Sequence, residues 1–350
     1  MPSRFLRLAA ALTIAAAALG AVAIRPALAA SKPATTKSIE GIPAIKHAFV
    51  IVLENESFNT SFGPNSPAKY LNSLLSRGAF ADNYFGVSHL SADNYIAMTS
   101  GQPPTPPFQA DCPDWGLCET SEKARLDGGR NVADQIEERH LSWAGYMDSM
   151  PGTCVHGPAV GPDTYQGGAG AADRYATRHD PFVYYPSIVE NDARCNSHVV
   201  PYTNLVTALQ TGAAVPNLSF ITPDTCHDGH DGDAGCDLAG ADQWLSQNVP
   251  LILNSAAYQD GGALFITFDE AQNNDNGGCC ATGETSDGST GGGRIGLVML
   301  SPMGKVGHAT DLYYDHNSLL RTLEDGFGIT EHLNNAASPK VKPLTELFAH

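Results

Sequence analysis

The chain has 350 residues, 42% of them hydrophobic and 16% charged, with 35 glycines and 23 prolines. That is a globular, loop-rich composition, too apolar for a disordered chain and too aperiodic for collagen or a coiled coil. A formal net charge of −17 excludes nucleic acid as a main partner, because binding its backbone needs basic stripes. It leaves room for a small phosphorylated substrate whose charge is met locally by a metal ion.

Residues 1–29 have the pattern of a secretion signal. Arg4 and Arg7 precede an uncharged, Ala-rich stretch from Leu8 to Ile24, and Ala27-Leu28-Ala29 supplies small residues for cleavage. The rival, a membrane anchor, fits less well, since Arg25-Pro26 and the cleavage pattern follow the apolar run at once. The expected location is therefore extracellular or periplasmic, with no transmembrane segment after cleavage. Residues 30–44 read as a flexible lead-in, and 45–350 as a single domain.

The first strong element is His47-Ala-Phe-Val-Ile-Val-Leu53, a continuous apolar run suited to a strand covered on both faces. It stops at Glu54-Asn55-Glu56. A helix is expected over 66–77, opening at Ser66-Pro67, then a short strand from Phe80 to Val87 and a helix over 94–100 ended by Gly101. Residues 102–130 form a Pro/Asp/Gly loop. Asn131 to His140 has helical spacing, Leu141 to Met147 suits a strand, and 150–180 is a Gly/Pro-rich stretch expected to run over the surface. Further buried strands are expected at Asn217–Thr222, Ala263–Phe268 and Arg294–Leu300, with helices over 239–257 and 316–327.

Strands alternating with helices imply an α/β sheet between helical layers. In such sheets ligands bind beyond the carboxyl ends of the strands. Three apolar strands here run straight into polar clusters: Glu54-Asn55, Pro223 to Asp233, and Asp269-Glu270. Eight cysteines in an exported chain imply disulfides; paired C-x-x-C elements of a zinc–thiolate site are missing. Cys112–Cys118 and Cys226–Cys236 are the expected short-range bridges, and adjacent Cys279 and Cys280 should have separate partners.

A carboxylate and an amide at a strand end, as in Glu54-Asn55, can hold a hard divalent cation, although the same types also cap helices and turns. Asp269-Glu270 closes a strand with two acids that repel unless a cation or donors offset them. The segment 223–233 offers His227, Asp228, His230, Asp231 and Asp233, an active-site cluster or a structural calcium loop; it lacks the spacing of the twelve-residue calcium loop. Ser91 sits at a strand-to-helix junction, where helix amides welcome an anion such as phosphate and where serine also serves as an N-cap. No G-x-S-x-G elbow is present, so coordination to a metal is the route to an activated oxygen.

These segments resemble, in order, the bacterial phosphoesterase family of secreted acid phosphatases and phospholipases C. Glu54-Asn55-Glu56-Ser57-Phe58 with Phe62-Gly63 resembles its E-N-x-S-F opening, and His89 to Tyr95 its H-P-S-L-P-N-Y. Asn217 to Asp231, Thr267 to Glu270 and Tyr314 to Gly328 resemble its later blocks. The resemblance implies an alkaline-phosphatase-like α/β/α sandwich with a mostly parallel sheet. It implies a divalent ion held by Glu54, Asn55, Asp269 and Glu270, with Mg, Ca, Zn or Fe open as its identity. Ser91 would be the phosphate-accepting nucleophile and Asn94 would bind a phosphoryl oxygen. His230, Asp231 and His316 would complete the catalytic set, and His89 would line the site. The S-x-x-N-Y form is similar to that of secreted acid phosphatases, including phosphatidylinositol-3-phosphate phosphatases. The expected activity is hydrolysis of phosphate monoesters, on a small-molecule or lipid substrate. A phosphodiesterase of phospholipase C type and a non-catalytic calcium-binding protein are the alternatives. The chain departs from the family pattern at Leu90 and Asp93, where prolines are usual.

Overall fold

Strand β1 (His47–Leu53) is buried along its length except at its first residue, as its unbroken apolar sequence requires. The computed structural model describes residues 38–112, 115–118, 129–156, 174–230, 235–272, 275 and 291–349. The expected signal segment, Asp231, Asp233, Cys279 and Cys280 lie outside the described residues. After β1 come α1 (Phe58–Ser61), α2 (Lys69–Leu74), β2 (Ala79–Ala81), β3 (Tyr84–Phe85), α3 (Ser91–Ser100) and α4 (Val132–Glu138). Then follow β4 (Trp143–Met147), α5 (Asp192–His198), β5 (Val199–Pro201), α6 (Thr203–Thr211), β6 (Leu218–Thr222) and α7 (Leu238–Leu253). The chain continues through β7 (Gly262–Phe268), β8 (Leu297–Leu300), β9 (His308–Thr310), β10 (Tyr314–Asp315) and α8 (His316–Gly326).

The central sheet has eight strands in the order β5-β4-β6-β1-β7-β8-β2-β9, and β3 and β10 form a separate parallel pair. Five neighbours, β5, β4, β6, β1 and β7, run parallel, and β8 runs antiparallel to both β7 and β2. Helices α3, α4 and α8 pack together in one group, and α2, α6 and α7 in another. Strands β1, β4, β6 and β7 carry apolar side chains on both faces, as a sheet covered on both sides demands. The fold is α/β with a mostly parallel central sheet.

Parallel register decides where polar side chains can gather. β4, β6, β1 and β7 are adjacent and point the same way, so their carboxyl ends share one edge. Backbone pairing extends past them: Glu54 N donates to Asp228 O at 2.9 Å, Asp269 N to Leu53 O at 2.8 Å, and Asp148 N to Thr222 O at 2.9 Å. The chemistry-bearing residues are thus fixed by the ladder itself.

Three disulfides are formed among the described residues: Cys112–Cys118, Cys226–Cys236 and Cys154–Cys195. One expectation is corrected. Residues 150–180 do not all run over the surface, because Tyr175 to Asp180 are buried.

Helix α8 carries Glu324, fully buried, with Oε1 accepting from Leu333 N at 2.7 Å and Oε2 lacking a hydrogen-bond partner. Burial pushes this carboxyl up to about 7. The unfolded chain releases the proton near 4.5 while the folded chain keeps it to about 7, so stability falls as pH rises through that window. Glu324→Gln should remove about 3 kcal/mol of this pH dependence, read as urea unfolding at several pH values. An unchanged slope in the variant would show that Glu324 ionises freely in the fold.

Candidate active site

Three fully buried carboxylates meet at the shared strand edge: Glu54 after β1, Asp228 after β6 and Asp269 after β7. The turn after β1 is built by Asn55 in the left-handed region at φ 51°, where asparagine is tolerated. That conformation aims Asn55 N at Asp269 Oδ1 at 3.0 Å, and Glu270 N reaches the same oxygen at 2.6 Å. Asp269 Oδ2 is left buried with no hydrogen bond. The Asn55 side chain lies beside Glu54, its amide donating to Oε2 at 3.2 Å.

Ser91 comes from the opposite wall. It is the first residue of α3, and its hydroxyl donates to Glu54 Oε2 at 2.8 Å. The preceding Leu90 has φ 134°, a strained conformation for a bulky residue that costs on the order of 1–3 kcal/mol. Glu270 Oε2 holds it by accepting from Leu90 N at 2.6 Å and from Asn94 Nδ2 at 2.9 Å. Asn94 Oδ1 accepts from Val87 N and Ser88 N at 2.9 and 3.2 Å, and its Nδ2 also donates to Ser88 O at 2.9 Å. Both halves of this amide are therefore hydrogen-bonded, to the turn and to Glu270. Gly86 lets the turn approach β7: a Cβ there would lie 2.8 Å from Asp269 O. Asp93 is engaged by Ser88 Oγ at 3.3 Å and Thr105 N at 3.2 Å.

The electrostatics are those of a centre made for positive charge. Burial, then the charges of Asp269 and Asp228, hold the Glu54 carboxyl well above its ordinary range. Burial also raises Asp269, opposed by the amides of Asn55 and Glu270. Glu270 is pushed up to about 8 by burial and by the Asp269 charge. Like charges this close in a desolvated site are tolerated as anions only against a cation. The donor types, carboxylate oxygens with an unsatisfied Oδ2 on Asp269 and the Ser91 hydroxyl, are those a hard divalent ion takes, while among the described residues the acid and histidine ligand atoms that lie within 4.8 Å of one another are those of Asp148, Asp224 and His227.

Most residues singled out in the sequence come together. Glu54, Asn55, Ser91, Asp269, Glu270 and Asn94 form one contiguous cluster. His316 lies behind it, fully buried, its Nε2 on Asp269 O at 2.5 Å and Nδ1 on the Tyr84 hydroxyl at 3.1 Å. Burial lowers this imidazole to about 4, partly offset by the Asp269 carbonyl. His89 packs 3.7 Å from Glu270 Oε1. His230 is exposed at the end of the β6 turn, its N–H donating to Asp228 Oδ1 at 2.9 Å.

Three residues of the centre escape sequence reasoning as a unit. Asp228 is visible only as one acid among several in its loop. Tyr95 donates to Glu54 Oε1 at 2.6 Å. His179, buried between Glu54 and Asp228, comes from the stretch expected on the surface. The signal that could find it is Arg178-His179-Asp180-Pro181, three ionisable groups ahead of a helix-starting proline in an otherwise Gly-rich loop.

Beside the centre, His227 Nδ1 lies 2.9 Å from both Asp148 Oδ2 and Asp224 Oδ1. Burial lowers this imidazole, but the two carboxylates more than offset it and lift it to about 9. Asp224 also accepts from Ser149 Oγ and Cys226 N. This triad and the Cys226–Cys236 bridge pin the turn that carries Asp228.

A model of the phosphoesterase family matches residues 64–330. The phosphate-repressible acid phosphatase of Penicillium chrysogenum is 26% identical over 61% of this chain and 46% of its own length. The phosphatidylinositol-3-phosphatase of Mycobacterium tuberculosis is 24% identical over 90% of this chain and 87% of its own. The chain spans about half to three-fifths of the length of the fungal acid phosphatases it matches. In structure it is similar to a Vibrio parahaemolyticus protein of the alkaline phosphatase superfamily. The TM-score is 0.56 and the identity 11%, over 88% of this chain and 75% of that one. That likeness shows the fold.

The crowding of buried acids has a measurable consequence. At neutral pH and without added cations, Glu54→Gln should melt higher than the natural chain, by about 2–4 °C for each kcal/mol of repulsion relieved. Divalent cations should raise the melting temperature of the natural chain and leave that of the variant nearly unmoved. A variant that melts lower without cations, or that responds to them fully, would contradict this reading of the cluster.

Proposed function

The chain belongs to the phosphoesterase family, and on that premise we propose that it is a secreted, metal-dependent phosphatase. It would hydrolyse phosphate monoesters through a phosphoserine formed on Ser91. One observation carries the reading: the Ser91 hydroxyl, at the N-terminus of a ten-residue buried helix, donates to Glu54 at 2.8 Å inside a nest of buried carboxylates. A serine used only as a helix cap would turn its oxygen to the amides of its own helix; this one is turned to an acid.

Glu54, Asn55, Asp269 and Glu270 are the residues that would hold the cation. A divalent ion there supplies positive charge, which favours the serine alkoxide and offsets charge on the phosphoryl oxygens. The remaining work falls to the chain. The hydroxyl proton of Ser91 is held at Glu54 Oε2. Ser91 Oγ attacks phosphorus in line, the new O–P bond forming as the bond to the leaving oxygen breaks. Ser91 stands at the N-terminus of α3, an end that favours negative charge, although Ala92 N there already donates to Asp111 Oδ1 at 3.1 Å. Glu270 and Asn94 keep the strained Leu90 turn in place, so Ser91 is positioned before substrate arrives.

We assign protonation of the leaving oxygen to His230, exposed and tied through its backbone to Asp228, with Asp231 beside it in sequence. A water molecule then attacks phosphorus and gives a proton to His230, the bond to Ser91 Oγ breaks, and the proton held at Glu54 returns to that oxygen. His316, locked between Asp269 O and Tyr84, steadies the Asp269 backbone.

Export is supported by three disulfides among the described residues. None of the described helices is long and apolar enough to cross a membrane. The match to the mycobacterial relative, over 90% of this chain and 87% of that one, makes a phosphorylated inositol lipid headgroup the first natural substrate to try.

Ser91→Ala should keep the fold and lose p-nitrophenyl phosphate turnover by at least about 10³-fold, and chelation should abolish turnover in the natural chain. Near-natural turnover in the variant would remove Ser91 as nucleophile. Faster hydrolysis of bis-p-nitrophenyl phosphate than of the monoester would move the activity to a phosphodiesterase.

A further inference from the structure

The head of α3 already carries an anion supplied by the chain itself. Ala92 N, the amide that follows the proposed nucleophile, donates to Asp111 Oδ1 at 3.1 Å. Asp111 belongs to the loop that leaves α3 at Gly101 and doubles back to the first turn of the same helix. That loop is held at several points. Asp93 Oδ1, in the first turn, accepts from Thr105 N at 3.2 Å. Phe108 is fully buried and meets Tyr184 edge-on, with ring centroids 5.2 Å apart. Cys112 N donates to Pro107 O at 2.9 Å, and Cys112 is bridged to Cys118. Asp111 and Cys112 both adopt the left-handed backbone, at φ 51° and 57°. Two successive non-glycine residues stay in that region only where their surroundings over-determine it.

Resting on the reading that Ser91 receives the phosphoryl group, we propose that Asp111 is a specificity-determining residue of this site. It denies one amide at the helix head to the phosphoryl oxygens and sets a fixed negative charge beside them, so a singly charged phosphoryl group is favoured over a doubly charged one. Ser91 and Ala92 share one peptide unit, so a phosphoryl group on the Ser91 hydroxyl and the Asp111 carboxylate meet at the same helix end. Helix N-termini gather anions through such amides; here one of them is occupied from within the chain. A carboxylate accepts more strongly from an amide than a neutral oxygen does, so the Asp111 contact resists displacement. Like charges brought together in a partly desolvated site repel strongly, and the repulsion grows with the charge on the incoming group. Asp93, where the sequence departs from the family pattern, has a place in this device: it anchors Thr105 and with it the loop that carries Asp111.

The test compares p-nitrophenyl phosphate with bis-p-nitrophenyl phosphate at pH 8, where the monoester carries about two negative charges and the diester one. The cation-loaded full chain is assayed beside Asp111→Asn and Asp111→Gly. Asparagine keeps an oxygen for Ala92 N and tolerates the left-handed backbone, so it removes only the charge. Asp111→Gly suits the same backbone and removes charge and acceptor together. In Asp111→Asn the monoester KM should fall about tenfold or more and the diester KM by less than about threefold. Asp111→Gly should move the monoester-to-diester ratio of kcat/KM in the same direction. An unchanged ratio in both variants would overturn the proposal, as would natural kinetics in Asp111→Asn with lost activity in Asp111→Gly. Either result leaves Asp111 a cap of α3 and the phosphatase reading intact. Failure of the natural chain to turn over either ester would instead bring down that broader reading, and the proposal with it.

Discussion

The repulsion among Glu54, Asp228 and Asp269, all without solvent, is the constraint around which the rest of the site is arranged. Nothing about an isolated β-strand asks for an acid at its end. Three parallel neighbours that each deliver one to the same edge create a local excess of negative charge. The surrounding structure answers it with donors: the amides of Asn55 and Glu270 on Asp269, and the hydroxyls of Ser91 and Tyr95 on Glu54. These donors reduce the penalty without removing it, because Asp269 Oδ2 and both nitrogens of His179 remain unsatisfied. Such a centre is poised for a cation, and a folded chain tolerates it because the apolar sheet beneath is well covered.

Strain is distributed in the same spirit. Leu90, next to the proposed nucleophile, adopts a φ that bulky residues avoid, and the groups that hold it there are Glu270 and Asn94. Those residues tie the turn to the end of β7, so the position of Ser91 is coupled to that of the carboxylates. On the far side, the Cys226–Cys236 disulfide and the Asp148–His227–Asp224 triad tie down the Asp228 turn. Preorganisation from two walls is what a reaction dominated by charge placement requires.

The sheet is legible in the sequence because β1, β6 and β7 are unbroken apolar runs. In an α/β protein, a run of that kind that ends in acids reads as a buried strand opening onto a site. Helix α3 begins three residues before the point its sequence suggests. Its ten residues are all buried, so it has no polar face from which to read a period. Glu54, Ser91 and Asp269 can be named from local sequence because each sits at a strand end or a strand-to-helix junction. His179 cannot. It reaches the centre from a Gly-rich excursion whose composition resembles surface loop, and only the tertiary fold carries it inward. Asn94 illustrates the opposite limit: its place is legible, but its amide's engagement with Val87, Ser88 and Glu270 depends on a turn geometry that no spacing encodes.

We propose that Ser91, turned toward Glu54 at the head of a buried helix, carries the phosphoryl group between two half-reactions. Its most direct test is to quench the cation-loaded enzyme in acid during turnover and map phosphorylation by peptide mass spectrometry. A single phosphorylated peptide is expected, with the phosphoryl group on Ser91, appearing with substrate and vanishing when substrate is exhausted. Active enzyme that yields only unmodified Ser91 peptide at every quench time, or phosphate on another residue, would contradict it.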